Sequence, residues 1–324
     1  MIRQKDIARE CGVSIATVSM AINKPYKISR DVRDKIYTLI DASGYKKNKS
    51  DVTTIGVAFD NFQNYFLGDF YNEVLLGIFS RSGELNVNIR VLNNFGAISP
   101  KNIYGLDGIL FVGKTSDEYI EKALEYKVCL VNAGHPNIHY PQITSVYCER
   151  EQTTPSLVNL LLNCGHKNIA VLLGEPEEEV ICKEFLKAIA ATNPYHNDKF
   201  VFQASVHDID TVEVAWHKIL SCKPKISALM CYSDLMAYYI YRCAQKHNVH
   251  IPKDLSITGY DGIQAPRYLK LPHPKLTTIQ TDRILLGMKS MDLLWHNITS
   301  EIKHRKNITI NGSVVVNDSV ARIN

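Results

Sequence analysis

No stretch of this 324-residue chain is apolar over the roughly 18 uninterrupted residues that a membrane-spanning helix needs. Its opening, MIRQKDIAREC, also lacks the apolar core of a secretory signal, so the chain is expected to remain in the cytoplasm and away from membranes. The eight cysteines never form C-x-x-C, and several sit in apolar runs such as VCLVNA and LMCYS. They are expected to be reduced, buried thiols, which excludes a zinc ribbon and a disulfide framework. Absent too are a G-x-G-x-x-G after a strand, a P-loop, a G-x-S-x-G elbow and H-E-x-x-H. The eleven histidines share no recurrent metal spacing, and His135 with His139 and His247 with His250 lie in turn-like sequence. No catalytic residue, metal or cofactor is expected, so an enzyme is the weakest reading.

What the chain does have is an uneven charge. Residues 1–50 hold 11 Lys and Arg against 5 Asp and Glu, whereas the rest holds 26 against 28. A basic head on a mildly acidic body points to a polyanionic partner for the head.

Within the head, Ile7, Ala8 and Cys11 fall at helical spacing before Gly12, a residue able to take positive φ. Ser14 then caps a second short helix whose inner face is Val18, Ala21 and Ile22. A third runs from the cap Ser29 through Val32, Ile36, Leu39 and Ile40 to Gly44. A tight turn between the first two helices makes a helix-turn-helix, whose second helix enters the DNA major groove. Ile15, Ala16 and Met20 are expected against base edges, with Thr17, Ser19 and Asn23 on phosphates and the cap Ser14 among the DNA-binding residues. Arg3, Lys5 and Lys27 add attraction that does not depend on sequence.

The run K-D-I-A-x-x-C-G-V-S-x-x-T-V-S-x-x-I-N, closed by I-D-x-S-G-Y, resembles the head of the lactose-repressor (LacI/GalR) family over residues 5–45. The resemblance implies a regulator that binds a palindromic double-stranded operator as a homodimer. Many relatives carry a guanine-reading arginine where Met20 stands, so the operator is expected to differ at that base pair. The basic linker after Tyr45 departs from the family pattern as well. It has no leucine before Ile55 and is about two helical turns too short for the minor-groove hinge helix of relatives.

From residue 54 onward β-branched runs alternate with helical stretches, as in parallel sheets covered by helices. Strands are expected at 55–60, 87–93, 107–113, 128–133, 168–174, 199–205, 227–233 and 255–261. Helices are expected at Pro155–Asn163, Val180–Ala191 and Leu235–Lys246. The fold class is therefore an all-α helix-turn-helix head followed by an α/β core of two doubly wound parallel-sheet lobes. A ligand sits beyond the C-terminal strand ends in such sheets, which puts Asp60, Lys114, Asn132, His207, Ser233, Asp234, Tyr260 and Asp261 among the candidates.

The body also resembles the family's effector core, itself similar to periplasmic sugar-binding proteins, in GHKNIAVLLG (165–174), YSDLMA (232–237), IPKDLSITGYD (251–261) and PKLTTIQTD (274–282). The likeness implies a head at 1–45, a linker at 46–53, a first lobe at 54–150 plus 278–303, and a second lobe at 151–277 plus 304–324. It also implies contacts to a small, sugar-like effector from Asn132, His207, Ser233, Asp234, Asp261, Thr281 and Arg283. Sugar-responsive relatives place an arginine four residues before the aromatic that is Phe185 here, but this chain has Ile181, leaving Lys183 or Arg283 as possible sources of charge. A regulator with a non-sugar or corepressing effector is the first alternative. A solute-binding protein without regulatory function is the second, and it is set against by the fused head.

Overall fold

The computed structural model describes residues 3–23, 27–43, 53–59, 69–92, 100–103, 105–136, 139–140, 142–174, 179–206, 208–265, 274–304 and 306–323. Three helices form the head: α1 (Gln4–Cys11), α2 (Ile15–Asn23) and α3 (Arg30–Ser43). Helix α1 stops where Gly12 takes φ +69°, a left-handed conformation that costs glycine little. Ser14 starts the next helix, its Oγ accepting a hydrogen bond from the Thr17 N–H at 3.0 Å. Ile7, Ala8, Cys11, Val18, Ala21, Ile36, Tyr37 and Ile40 close a core belonging to the head itself.

The body follows as β1 (Thr54–Ala58), α4 (Asp69–Glu84), β2 (Asn88–Leu92), α5 (Pro100–Ile103), β3 (Gly108–Val112), α6 (Asp117–Glu125), β4 (Cys129–Ala133) and β5 (Thr144–Cys148). Next come α7 (Thr154–Asn163), β6 (Ile169–Leu173), α8 (Glu179–Thr192), β7 (Val201–Gln203), α9 (Ile209–Ser221), β8 (Ala228–Cys231), α10 (Asp234–Lys246) and β9 (Ser256–Asp261). The chain ends with β10 (Thr277–Gln280), α11 (Arg283–Thr299), β11 (Ile308–Ile310) and β12 (Ser313–Val315).

Two six-stranded sheets result, ordered β11-β5-β4-β3-β1-β2 and β12-β10-β9-β8-β6-β7. Every pairing is parallel except that of β10 with β12. Strands β3 and β6 are buried along their whole length, as unbroken apolar runs in a parallel sheet with both faces covered should be. In the first lobe α4 and α11 cover one face with Val74, Ile78, Leu286 and Met291. Tyr119, Ile120 and Ala123 of α6 cover the other. Strand order reverses between β1 and β3 and between β6 and β8, which opens a crevice at the C-terminal strand ends of each sheet.

Two of the three crossings between lobes fall later than the family likeness implies. Thr277–Gln280 pairs with β9 in the second sheet, so the chain leaves that lobe after residue 280 and not near 278. Ile308–Ile310 pairs with β5 in the first sheet, so the return comes after 310 and not near 304. Each lobe takes two strands beyond the eight expected, β5 and β11 in the first and β10 and β12 in the second, because all four are short and mix hydroxyl residues with apolar ones. Among the described residues, no helix is long and apolar enough to cross a membrane.

Candidate functional site

On the head, the face of α2 opposite its core is open. Ile15 is 53% and Met20 38% exposed, whereas Val18 and Ala21 are fully buried. Ala16 and Ser14 are exposed too, and so are Arg3, Lys5 and Lys27. Ser14 Oγ and Thr17 Oγ1 lie 2.8 Å apart, which ties the first turn of α2 to its cap. Tyr37 of α3 donates to the Ala21 carbonyl at 2.7 Å and fixes the back of the same helix. Ser19 is half-buried. The Asn23 side chain and the linker at 46–52 lie outside the described residues. A short rigid helix presenting small and apolar side chains, with cations around it, suits a DNA groove.

In the body, Asp60 and His207 lie outside the described residues. Apart from Asn132 on the first lobe, the other expected effector residues divide into two groups. Ser233 caps α10, its Oγ accepting from Met236 N–H at 3.3 Å. Asp234 is fully buried and its carboxylate faces protein donors, Thr278 Oγ1 at 2.6 Å and Ile263 N–H at 2.8 Å. Burial, with nearby Asp261 adding repulsion, pushes that carboxyl well above the usual carboxylate range. Asp234 thus acts as an internal clamp between β10 and the segment after β9.

Asp261, Thr281 and Arg283 do converge. Arg283 Nη1 donates to the Asp261 carbonyl, and Thr281 donates to the same oxygen from N–H and Oγ1, both at 3.3 Å. Arg283 also reaches back into the first lobe, its Nε donating to Glu73 Oε2 at 3.0 Å. Asp261 itself takes φ +115°, an uncommon conformation for a residue with a side chain, and these three bonds hold it there.

Arg150, just past β5 at the first crossing, is the member that the sequence reading missed. It is 7% exposed, and its Nη1 donates to the Tyr232 carbonyl at 2.8 Å. The guanidinium carbon stands 3.9 Å from the centroid of the Tyr260 ring, 5.2 Å from Tyr232 and 5.8 Å from Phe185. Arg150 Nη2 lies 3.6 Å from Asp261 Oδ1. Three aromatic faces and one carboxylate of the second lobe therefore cage a cation that belongs to the first crossing. The strand-end rule names this residue once TSVYC (144–148) is seen to be a strand, which its short mixture of polar and apolar residues conceals.

Near the C-terminal end of β4 the first lobe carries two buried polar atoms, on Asn132 and His135, without a hydrogen-bond partner among the described residues. Asn132, 2% exposed near the end of β4, has a buried Oδ1 without a hydrogen-bond partner among the described residues. His135 has its Nδ1 on the Pro136 carbonyl at 2.8 Å and its Nε2 buried without a partner among the described residues. Burial, opposed by that carbonyl and assisted by Lys114 and Arg150, lowers the imidazole to about 4, so it is neutral with Nε2 as an acceptor. Burial also lifts the nearby Cys148 thiol to about 11, which keeps it neutral and unreactive.

Away from the junction, Glu213 and His217 on α9 approach His247 after α10, with their donor atoms within 4.8 Å of one another. The Lys246 ammonium already pairs with the Glu213 carboxylate there. The eight cysteines are all free, and Cys11, Cys182, Cys231 and Cys243 are buried.

Two family models match this chain: bacterial regulatory proteins of the lacI family over residues 4–48, and a periplasmic binding protein-like domain over residues 158–320. Catabolite control protein A of Priestia megaterium is 28% identical over 96% of this chain and 94% of its own length. The HTH-type transcriptional repressor PurR of Vibrio vulnificus is 26% identical over 99% of both chains. A solved complex of the transcriptional regulator CelR with cellobiose superposes with a TM-score of 0.70 at 22% identity, over 98% of this chain and all of that one.

Proposed function

This chain belongs to the lacI family of bacterial regulatory proteins, DNA-binding transcriptional regulators that carry a ligand-binding effector domain and are not enzymes, and we propose that it is a repressor whose homodimer holds a palindromic operator until a sugar or sugar derivative enters between its lobes. The observation that carries the DNA half is the open face of α2, where Ile15 and Met20 stand exposed on a helix whose Val18 and Ala21 are sealed in the head's core. One such helix covers too few base pairs for a specific site, so two heads about one helical turn apart read the two half-sites. The relatives named repressors and the cellobiose bound to CelR support repression and a sugar-like effector. The convergence of Asp261, Thr281 and Arg283 where the lobes meet supplies a place at which an effector alters lobe orientation and so the spacing of the heads.

Selection of duplexes from a random pool by the full-length protein, repeated at several salt concentrations, tests this reading. A palindromic consensus retained as salt rises is the expected result. Binding that is sequence-blind and simply fades with salt contradicts it, because phosphate contacts alone behave that way.

A further inference from the structure

We propose that Arg150 is an oxyanion-binding residue of the cleft, so that the effector carries a phosphate or carboxylate group in addition to its hydroxyls; this rests on the effector reading above and specifies its ligand. A guanidinium buried to this degree is costly unless its charge is matched. Its nearest carboxylate oxygen, on Asp261, stands at 3.6 Å, beyond hydrogen-bonding distance. Its one close bond goes to a neutral carbonyl, that of Tyr232. The three surrounding rings stabilise a cation through their faces and leave the guanidinium edge as the polar surface.

Neighbouring carboxylates are engaged elsewhere. Glu149 accepts from the N–H groups of Glu151 and Gln152 at 2.8 and 2.9 Å, and Glu73 belongs to Arg283. Glu184 is pushed toward its neutral form by burial and by repulsion from Glu149 and Glu151, which outweigh the attraction of Arg150 and Lys187, and it makes no ion pair with Arg150 among the described residues. A planar guanidinium edge in a low-dielectric site pairs with two oxygens of a carboxylate or phosphate, and such charge-assisted bonds are about twice as strong as neutral ones.

The remainder of the site fits a hydroxylated body. Asn132 Oδ1 and His135 Nε2 are acceptors without donors among the described residues, and sugar hydroxyls are donors. Ligands that combine these features are sugar phosphates and sugar acids.

Inorganic phosphate is the probe. Its binding to the full-length protein is measured by calorimetry and thermal shift at an ionic strength fixed with chloride, alongside Arg150→Gln and Arg150→Lys. Saturable millimolar binding by the wild type is expected, at least about tenfold weaker in Arg150→Gln and within about threefold in Arg150→Lys. Circular dichroism checks that each variant folds, and Arg150→Lys keeps the test decisive if Arg150→Gln does not. Equal phosphate binding by the wild type and Arg150→Gln overturns the proposal, because it assigns the phosphate to the basic head or to an adventitious site. Absence of saturable binding by the wild type also overturns it. Operator selection on the same preparations separates the two readings: a palindromic consensus without an Arg150-dependent phosphate site removes the anion and leaves the regulator standing.

Discussion

Met20 projects, 38% exposed, from the open face of α2, and a thioether offers a base edge no donor. It suits apolar contact with a thymine methyl and cannot form the bidentate pair that arginine makes with guanine O6 and N7. Met20→Arg should therefore gain about 1–3 kcal/mol of preference for guanine at one symmetric pair of operator positions. Site selection with the variant reads this directly, and an unchanged consensus would remove Met20 from the base-reading set.

His135 carries a pH dependence whose sign follows from its environment. The folded imidazole protonates only near pH 4, whereas in the unfolded chain it does so near the ordinary value of about 6.5. Between those values the unfolded chain binds the extra proton, so the stability from neutral His135 is complete above about pH 6.5 and is lost as pH falls toward 4. From pH 7 to 5 the wild type should lose up to about 2 kcal/mol more than His135→Asn. Urea unfolding at the two pH values measures the difference, and parallel losses would show that the ring is charged or solvated in the fold.

At the scale of elements, the tightest contact is the crossing of α4 and α11. A Cβ added at Gly77 would stand 2.1 Å from the Ile284 carbonyl oxygen, and one at Gly287 would stand 2.0 Å from that of Val74. Both obstacles are backbone atoms, so the helices must part to admit a methyl group. Gly287→Ala should destabilise the protein by at least about 3 kcal/mol, the upper end of overpacking costs, despite alanine's better helix propensity. Thermal unfolding tests this; a stabilised variant would mean that the helices slide apart freely.

The elements legible in the sequence are the three head helices, six of the eight inner strands with edge strands β2 and β7, and the helices α7, α8 and α10, all marked by apolar periodicity or β-branched runs. Strands β5 and β10 were not, because two of the three buried positions in each are hydroxyl residues. Thr144 donates to the His304 carbonyl, Thr277 to that of Asn317 and Thr278 to the Asp234 carboxylate, so each is buried at little cost through a partner remote in sequence. The same long-range partnering removes Asp234 from the cleft and conceals Arg150 in a crossing whose strand went unseen. The GH of the 165–174 motif is likewise structural. His166 joins Ser227 to the Ala321 carbonyl, and a Cβ at Gly165 would meet the Ile323 carbonyl oxygen at 2.5 Å.

For the whole molecule, the decisive feature is the seam where the chain crosses between the two lobes. Glu149 N–H donates to the Ile310 carbonyl at 3.1 Å, which brings the first crossing against the third. Gly312 passes so close to β10 that a Cβ there would stand 2.5 Å from the Ile279 side chain. Across this seam Arg283, 4% exposed, connects Glu73 of α4 to the backbone at the end of β9. The Glu73 side chain is 39% exposed, so its share of the contact is screened by water, whereas the Asp261 carbonyl is buried with Arg283. If the arginine acts chiefly as a clamp between lobes, removing it and removing its carboxylate should have unequal effects. Arg283→Met should cost about 2–4 kcal/mol, because the Asp261 and Gly262 carbonyls each lose a charged donor, and Glu73→Gln about 1 kcal/mol or less. Urea unfolding of the two variants and of the double variant apportions the contact. Equal single costs that vanish together in the double variant would reduce Arg283 to a local ion pair of the first lobe, and the route from cleft to heads would then have to run through the Arg150 crossing.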